Sequence, residues 1–286
     1  MPDSQGLGPA IPRRRLGAAL RELRQERKKN LGDVAKDLLI STSKLSRLEK
    51  GLSPARERDI RDLLNYYDQS GTELGQRMRR WAEEGRTEGW WHQNDAVPTI
   101  TDRYLQYETA AIQIGAYVTH FVPSLLQTES YARALISALD TEDSQQVEEL
   151  VKVRMSRKAV LTREDYPLSL DFIIDESTLH RVVGTSDVMR DQLEKLVEAS
   201  LSPTVTLRIL AFDAGPDPAL LEGSFTIFQF RRPIDPDVVN IEGRITDRYI
   251  EGDQVEVYQK RLEGLKEKAL TPGQSRDFIT RLTEGL

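Results

Sequence analysis

Ser-Thr-Ser-Lys-Leu-Ser-Arg-Leu-Glu-Lys-Gly, residues Ser41 to Gly51, is the stretch whose reading decides the fold of the first part of this chain. Ser41 is a good N-cap and Gly51 a good C′ residue, so the nine residues between them read as one short helix. Leu45 and Leu48 share one apolar face at i, i+3. The other face holds Thr42, Ser43, Lys44, Ser46, Arg47 and Lys50, all hydroxyls and cations. Such a face suits base edges and phosphates, and the positive end of the helix dipole near Ser41 adds to the attraction. Glu49 lies on the turn toward the core.

Upstream, Leu16, Ala19, Leu20 and Leu23 repeat at helical spacing up to about Lys29–Asn30. Leu31, Val34, Ala35 and Leu38 give a second, short helix, with the small Ala35 at the contact a tightly packed neighbour requires. Downstream, Ile60, Leu63, Leu64 and Tyr67 mark a fourth helix, and Arg77–Glu84 a fifth. Residues 1–12, rich in Gly and Pro, are expected to be a flexible arm. Residues 13–85 are expected to be an all-α helix-turn-helix bundle of about five helices. Residues 86–101 read as an irregular connector, and 102–286 as a mixed α/β domain for regulation and interaction. The whole is an α+β multidomain chain.

In the second part Tyr104–Tyr117, Ser124–Leu139, Gln145–Leu161 and Ser186–Ser200 read as helices, as do Asp253–Leu270 and Pro272–Leu282. Leu168–Ile174, Val205–Phe212, Phe225–Phe230 and Val238–Ile241 read as strands, which gives a sheet of about four. The segment from Leu168 to Phe212 is long enough for a parallel crossover, and the last two strands are expected to form a hairpin.

Composition narrows the function. The chain has 286 residues, no cysteine and three histidines. Disulfides, thiolate zinc sites and cysteine nucleophiles are excluded, and His92, His120 and His180 are not at metal-ligand spacing, so no metal and no cofactor is expected. Mean hydropathy is −0.50. No stretch approaches the roughly 18 apolar residues a membrane helix needs. Met1–Ala10 lacks the basic and apolar run of a secretory signal, so a cytoplasmic location is expected. Phosphate-binding glycine loops, the GxSxG elbow and HExxH do not occur, and no catalytic set is visible, so an enzyme is not expected.

Charge is uneven. Residues 1–64 carry 15 basic and 9 acidic side chains, a net of +6, against −6 for the whole chain, which leaves −12 for the remainder. A basic head on an acidic body points to a polyanion as the partner of the head. Arg13–Arg14–Arg15 is either a backbone-contacting arm or a solvated helix start. Trp90, Trp91, His92 and Tyr104 form a candidate pocket for a ligand or partner; paired tryptophans near a junction also serve to pack domains together. Asp175 and Glu176 end a strand, a place suited to catalytic carboxylates, but sequence pairs them with no base or nucleophile.

The segment Ser41–Gly51 resembles the recognition helix of Xre/Cro-type helix-turn-helix regulators. The resemblance implies that Thr42, Ser43 and Arg47 reach base edges, and that Lys44 and Ser46 lie near the backbone or the edge of the groove. It makes Ala35, Leu45, Leu48, Glu49 and Gly51 structural. Glu49 falls on a buried glutamate that pairs with an arginine of the first helix, here Arg24 or Arg27. Asp33 departs from the pattern, which has Gln there; an aspartate is repelled by phosphate, so a capping role is expected. Gly89–Asn94 (GWWHQN), Tyr104–Ala111 (YLQYETAA), Val122–Leu135 and Asp175–Gly184 (DESTLHRVVG) resemble the long C-terminal domain of actinobacterial WhiJ-like regulators. This implies a dimeric, sequence-specific transcription regulator on double-stranded DNA, with a small BldB-like partner protein or a small-molecule effector at the second domain. The alternative is an antitoxin-like interaction module whose main role is to bind that partner.

Overall fold

The computed structural model describes residues 9–87, 99–139, 143–163, 167–231, 236–243 and 247–286. These divide into two compact units, one holding the first five helices and one holding the rest.

The first unit is helical: α1 (Ala10–Glu26), α2 (Leu31–Asp37), α3 (Thr42–Glu49), α4 (Glu57–Tyr66) and α5 (Glu73–Glu84). Its core joins Leu16, Leu20 and Leu23 of α1 to Val34, Leu45, Leu48, Leu63 and Met78, all buried. Polar caps set the helix starts. Asn30 accepts from the Asp33 N–H and Asp33 accepts from the Asn30 N–H, a capping box. The Ser41 and Thr72 hydroxyls accept from the N–H groups of Lys44 and Gly75. The expected arm is corrected at residues 10–12. α1 begins at Ala10, and Ala10, Ile11 and Pro12 are buried. Pro12 is compatible with the helix because the first-turn N–H has no helical acceptor to lose.

The second unit is built on one mixed sheet of six strands in the order β3-β2-β1-β4-β5-β6, where about four were expected. The strands are β1 (Gln113–Val118), β2 (Ser169–Asp175), β3 (Val205–Leu210), β4 (Phe225–Gln229), β5 (Val238–Ile241) and β6 (Arg248–Ile250). β1, β2 and β3 are parallel; β4, β5 and β6 continue the sheet antiparallel. The crossover from β2 to β3 and the β4–β5 hairpin have the expected orientations.

One correction matters most. Tyr104–Tyr117, expected as one helix, is helix α6 (Thr99–Ala110) followed by the central strand β1. Four of the six β1 residues are buried in an unbroken run, because helices cover both faces of the sheet, so the strand lacks the two-residue alternation that marks a half-exposed one. β6, three residues long, is the other missed strand. Ser124–Leu139 likewise divides, into a short 3-10 turn and α7 (Glu129–Leu139). The remaining helices are α8 (Ser144–Ser156), α9 (Glu176–His180), α10 (Ser186–Ala199), α11 (Gln254–Lys268) and α12 (Pro272–Glu284).

The two faces of the sheet differ. Tyr117, Ile173, Phe225 and Ile227 meet Tyr258, Leu262 and Leu265 of α11. On the opposite face, Tyr104 and Tyr107 of α6 set their rings against Phe228 at 5.1 and 5.8 Å. Edge strand β3 is closed off: Ile209 donates to the Ser275 hydroxyl at 2.9 Å, and its carbonyl accepts from the Leu270 N–H at 2.9 Å. This coverage removes a template for unwanted strand pairing.

Beneath α6 lies a buried ion pair. Arg157 donates two hydrogen bonds to Glu108, at 2.8 and 2.7 Å, and its guanidinium lies 5.4 Å from the Tyr104 ring centre. Both side chains are almost fully enclosed, at 9% and 2% exposure. Breaking such a pair from one side strands a charge, whereas replacing both members by apolar groups does not. Arg157→Met is therefore expected to destabilise the second unit by about 3–5 kcal/mol in urea unfolding, and Glu108→Leu with Arg157→Met to recover most of that loss. A single variant no less stable than the double one would contradict the assignment.

Candidate nucleic-acid interface

The helix-turn-helix comprises α2, α3 and the turn between them. That turn has unusual backbone. Leu39 sits at φ +53° with its side chain 92% exposed. The Ile40 N–H returns to the Ala35 carbonyl at 2.9 Å and the Leu39 N–H to the Lys36 carbonyl at 3.3 Å. These two bonds make a Schellman stop with leucine where glycine is the usual residue. α3 ends in the same way, with Leu52 bonded back to Arg47 at 2.8 Å and Gly51 to Leu48 at 3.0 Å. There the left-handed position, φ +65°, is filled by Gly51. A Cβ on Gly51 would lie 2.9 Å from the Arg14 nitrogen, so both conformation and space require glycine.

α3 is held against α1 by contact and by charge. A Cβ on Gly17 would come within 2.6 Å of the Leu48 carbonyl oxygen and 2.7 Å of that of Glu49. The absence of a side chain at Gly17 is therefore what lets the C-terminal turn of α3 approach α1. Arg24 then donates from Nε and Nη2 to the two oxygens of buried Glu49, both at 2.7 Å. Its Nη1 donates to the Lys29 carbonyl at 3.0 Å, beyond the end of α1. The hydrogen bond to Glu49 raises the Arg24 pKa further above its ordinary value. Arg27, the other candidate partner, serves elsewhere: it donates to the Tyr67 carbonyl and to Asp68.

With Leu45, Leu48 and Glu49 turned inward, Thr42, Ser43, Arg47 and Lys50 are exposed on the outer side of α3, and Ser46 is half-buried. Lys44, expected near the backbone or at the edge of a groove, is half-buried and paired within the unit. Its ammonium donates to Asp59 of α4 at 2.7 Å, and Asp59 is only 9% exposed. Its charge is compensated within the unit, so Lys44 fastens α3 to α4. Ala35 is buried at the α2 contact. Asp33 sits in the capping box of α2, the role expected for it.

Sequence reasoning missed Gly17 and Asp59. Gly17 carried a usable signal, since glycine inside a helix costs about 1 kcal/mol and calls for a packing reason. Asp59 carried none, because its partner lies 15 residues away.

The other candidate sites resolve differently. Trp90, Trp91 and His92 lie outside the described residues. Tyr104 packs edge-on to Phe228, and burial pushes its phenol well above the ordinary range. The strand-end carboxylates have structural partners. Asp175 accepts from the Ser177 N–H at 3.0 Å and from the Tyr117 hydroxyl at 3.1 Å. Glu176 accepts from the Phe212 N–H at 2.7 Å and pairs with His180 at 3.2 Å.

Comparison with known proteins agrees with this division. A family described as a helix-turn-helix domain matches residues 15–76. A second, described as a domain of unknown function (DUF5753), matches residues 101–281. No curated protein and no solved structure matches.

Two substitutions with opposite effects test the local geometry. Gly17→Ala is expected to destabilise the first unit by about 1–3 kcal/mol despite the better helix propensity of alanine, because its Cβ would press on backbone. Leu39→Gly is expected to stabilise it by about 1 kcal/mol, because an L side chain in the left-handed region costs that order. Thermal unfolding monitored by circular dichroism would report both, and a reversal of either sign would refute that part of the geometry.

Proposed function

The chain belongs to the DUF5753 family, and from that membership, joined to its helix-turn-helix domain, we propose that it is a sequence-specific transcription regulator that binds double-stranded DNA as a dimer. The observation that carries this reading is the outer face of α3. Thr42, Ser43, Arg47 and Lys50 are exposed together, while the one carboxylate of the helix, Glu49, is buried and neutralised by Arg24. A face with donors and cations and no exposed carboxylate enters a major groove without repulsion. Arg47 reads a base, as a bidentate donor to guanine, and Thr42 and Ser43 contact neighbouring edges. Lys50 supplies a phosphate contact. The wider resemblance supports placing the head in the Xre/Cro-type group and the whole chain beside the actinobacterial WhiJ-like regulators. We place it in the cytoplasm and assign no catalytic step to either unit.

In this reading the second domain takes a small BldB-like partner protein or a small-molecule effector. A second reading, an antitoxin-like module that mainly binds its partner, is favoured by one observation: the net −12 of the chain outside residues 1–64, which suits a protein partner better than DNA.

Selection from a randomised duplex library with the intact chain tests the first reading. It is expected to enrich an inverted repeat whose half-sites lie about one helical turn apart, since one recognition helix reads only half a site. Enrichment of a single asymmetric site would refute the dimer, and no enrichment over input would refute sequence-specific binding by the chain alone.

A further inference from the structure

Beneath α11, the apolar packing of the second unit gives way to a cavity of about 250 Å³. The change happens along the strands. On β1, Tyr117 packs in the core, Gly115 has no side chain, and Gln113 is polar. The register sets Gln113 directly opposite Gln229, and Gly115 opposite Ile227 on one side and Asp171 on the other. From above, α11 supplies Gln259, Leu262 and Lys266.

The charges in this cavity satisfy one another. Lys266 donates to Asp171 at 2.5 Å and to Glu263 at 2.7 Å, and Arg208 donates to Asp171 at 3.0 Å. Lys266, the cation among the lining residues, is thus held by two carboxylates, and Arg208 reaches Asp171 from outside the lining, so no unpaired cation is left there to draw an anionic ligand.

The amides are different. Gln259 donates to Asp237 at 2.8 Å, which leaves its carbonyl oxygen as an acceptor. Gln113 and Gln229 are half-buried, and neither side-chain amide makes a hydrogen bond within the described residues. Side by side across the β1–β4 ladder, they offer two acceptors and four N–H donors toward one space. Ile227 and Leu262 give that space apolar walls, with Leu262 seated over Gly115, where a Cβ would come within 2.7 Å of the Leu262 Cδ2.

We propose that this cavity binds a small, uncharged, planar molecule with an amide-like edge of donors and acceptors, the chemistry of a nucleobase or its nucleoside. Paired amides match such an edge, apolar walls match the ring faces, and internally balanced charges disfavour phosphates and amino acids. The volume lies below the roughly 300 Å³ at which drug-sized pockets begin, which limits the ligand to this size class. The proposal deepens the effector part of the proposed function. Its binding is measured without DNA, so its failure and the failure of DNA recognition are separately visible.

The test is calorimetric titration and thermal shift of the full chain with adenine, guanine, cytosine and uracil, their nucleosides, and AMP and glutamate as charged probes. At least one neutral base or nucleoside is expected to bind and to raise Tm with concentration, as a ligand selective for the folded state must. Gln113→Leu with Gln229→Leu is expected to weaken that binding by about tenfold or more, because the ligand edge then loses its partners. The Tm of the unliganded double variant should match the parent. The single variant Gln229→Met, milder in volume, should weaken binding in the same direction and guards against a folding defect. Tighter binding of the base than of its nucleoside would mark the base as the ligand, and the reverse the nucleoside. The proposal is overturned if no neutral probe binds, if binding survives both sets of substitutions, or if AMP or glutamate binds as tightly as the neutral probes.

Discussion

The bidentate bond between Arg24 and Glu49 is the constraint on which the first unit depends. A carboxylate in the last turn of a helix is opposed by the helix dipole, and a buried one is costlier still. Arg24 removes both penalties with two 2.7 Å hydrogen bonds, and its third contact, to the Lys29 carbonyl, ties the same guanidinium to the chain leaving α1. The pair therefore fixes the end of α3 against α1. It operates only because Gly17 lets the two helices approach. The consequence is directional. Once Glu49, Leu45 and Leu48 face inward, the helical repeat turns Thr42, Ser43 and Arg47 outward together. Lys44, at the side, is drawn to Asp59 and fixes the rotation against α4. The outer face of α3 is thus set by groups that never need to touch a ligand.

The second unit uses the same device once more. Glu108 and Arg157 link α6 to the segment after α8, under the ring of Tyr104. Around this pair the sheet divides its labour. The β1–β3 half is parallel and enclosed by helices, and the antiparallel half extends it to β6. At one end of the α11 face the packing turns from rings and aliphatic groups to amides. There the half-buried amides of Gln113 and Gln229 face each other across β1 and β4.

Much of the first unit was legible because its determinants are local. Ser41 and Gly51 bracket α3 as cap residues, Ala35 marks the close contact of α2, and the leucines keep a helical period. The unread features there are long-range or masked by composition. Pro9 and Pro12 look like an arm, yet the first turn of a helix accepts proline. The Lys44–Asp59 bond joins residues too far apart for any local pattern. In the second unit the failures have one physical source. Tyr104, Tyr107, Ile114 and Tyr117 happen to fall at helical spacing, while β1, buried on both faces, has no alternation with which to announce a strand. Because the central strand was hidden, the sheet was counted short, and the facing glutamines Gln113 and Gln229 could not be placed together.

The account rests on α3 reading sequence through Arg47 while Arg24 and Glu49 only aim it. The direct measurement is the affinity of the intact chain and of Arg47→Ala for a selected duplex and for a scrambled duplex of the same length, by fluorescence anisotropy across a range of salt. The account predicts that the parent prefers the selected duplex, and that the variant loses about 1–3 kcal/mol of that preference while keeping its weak, salt-sensitive hold on both. A preference that survives Arg47→Ala undiminished would contradict it.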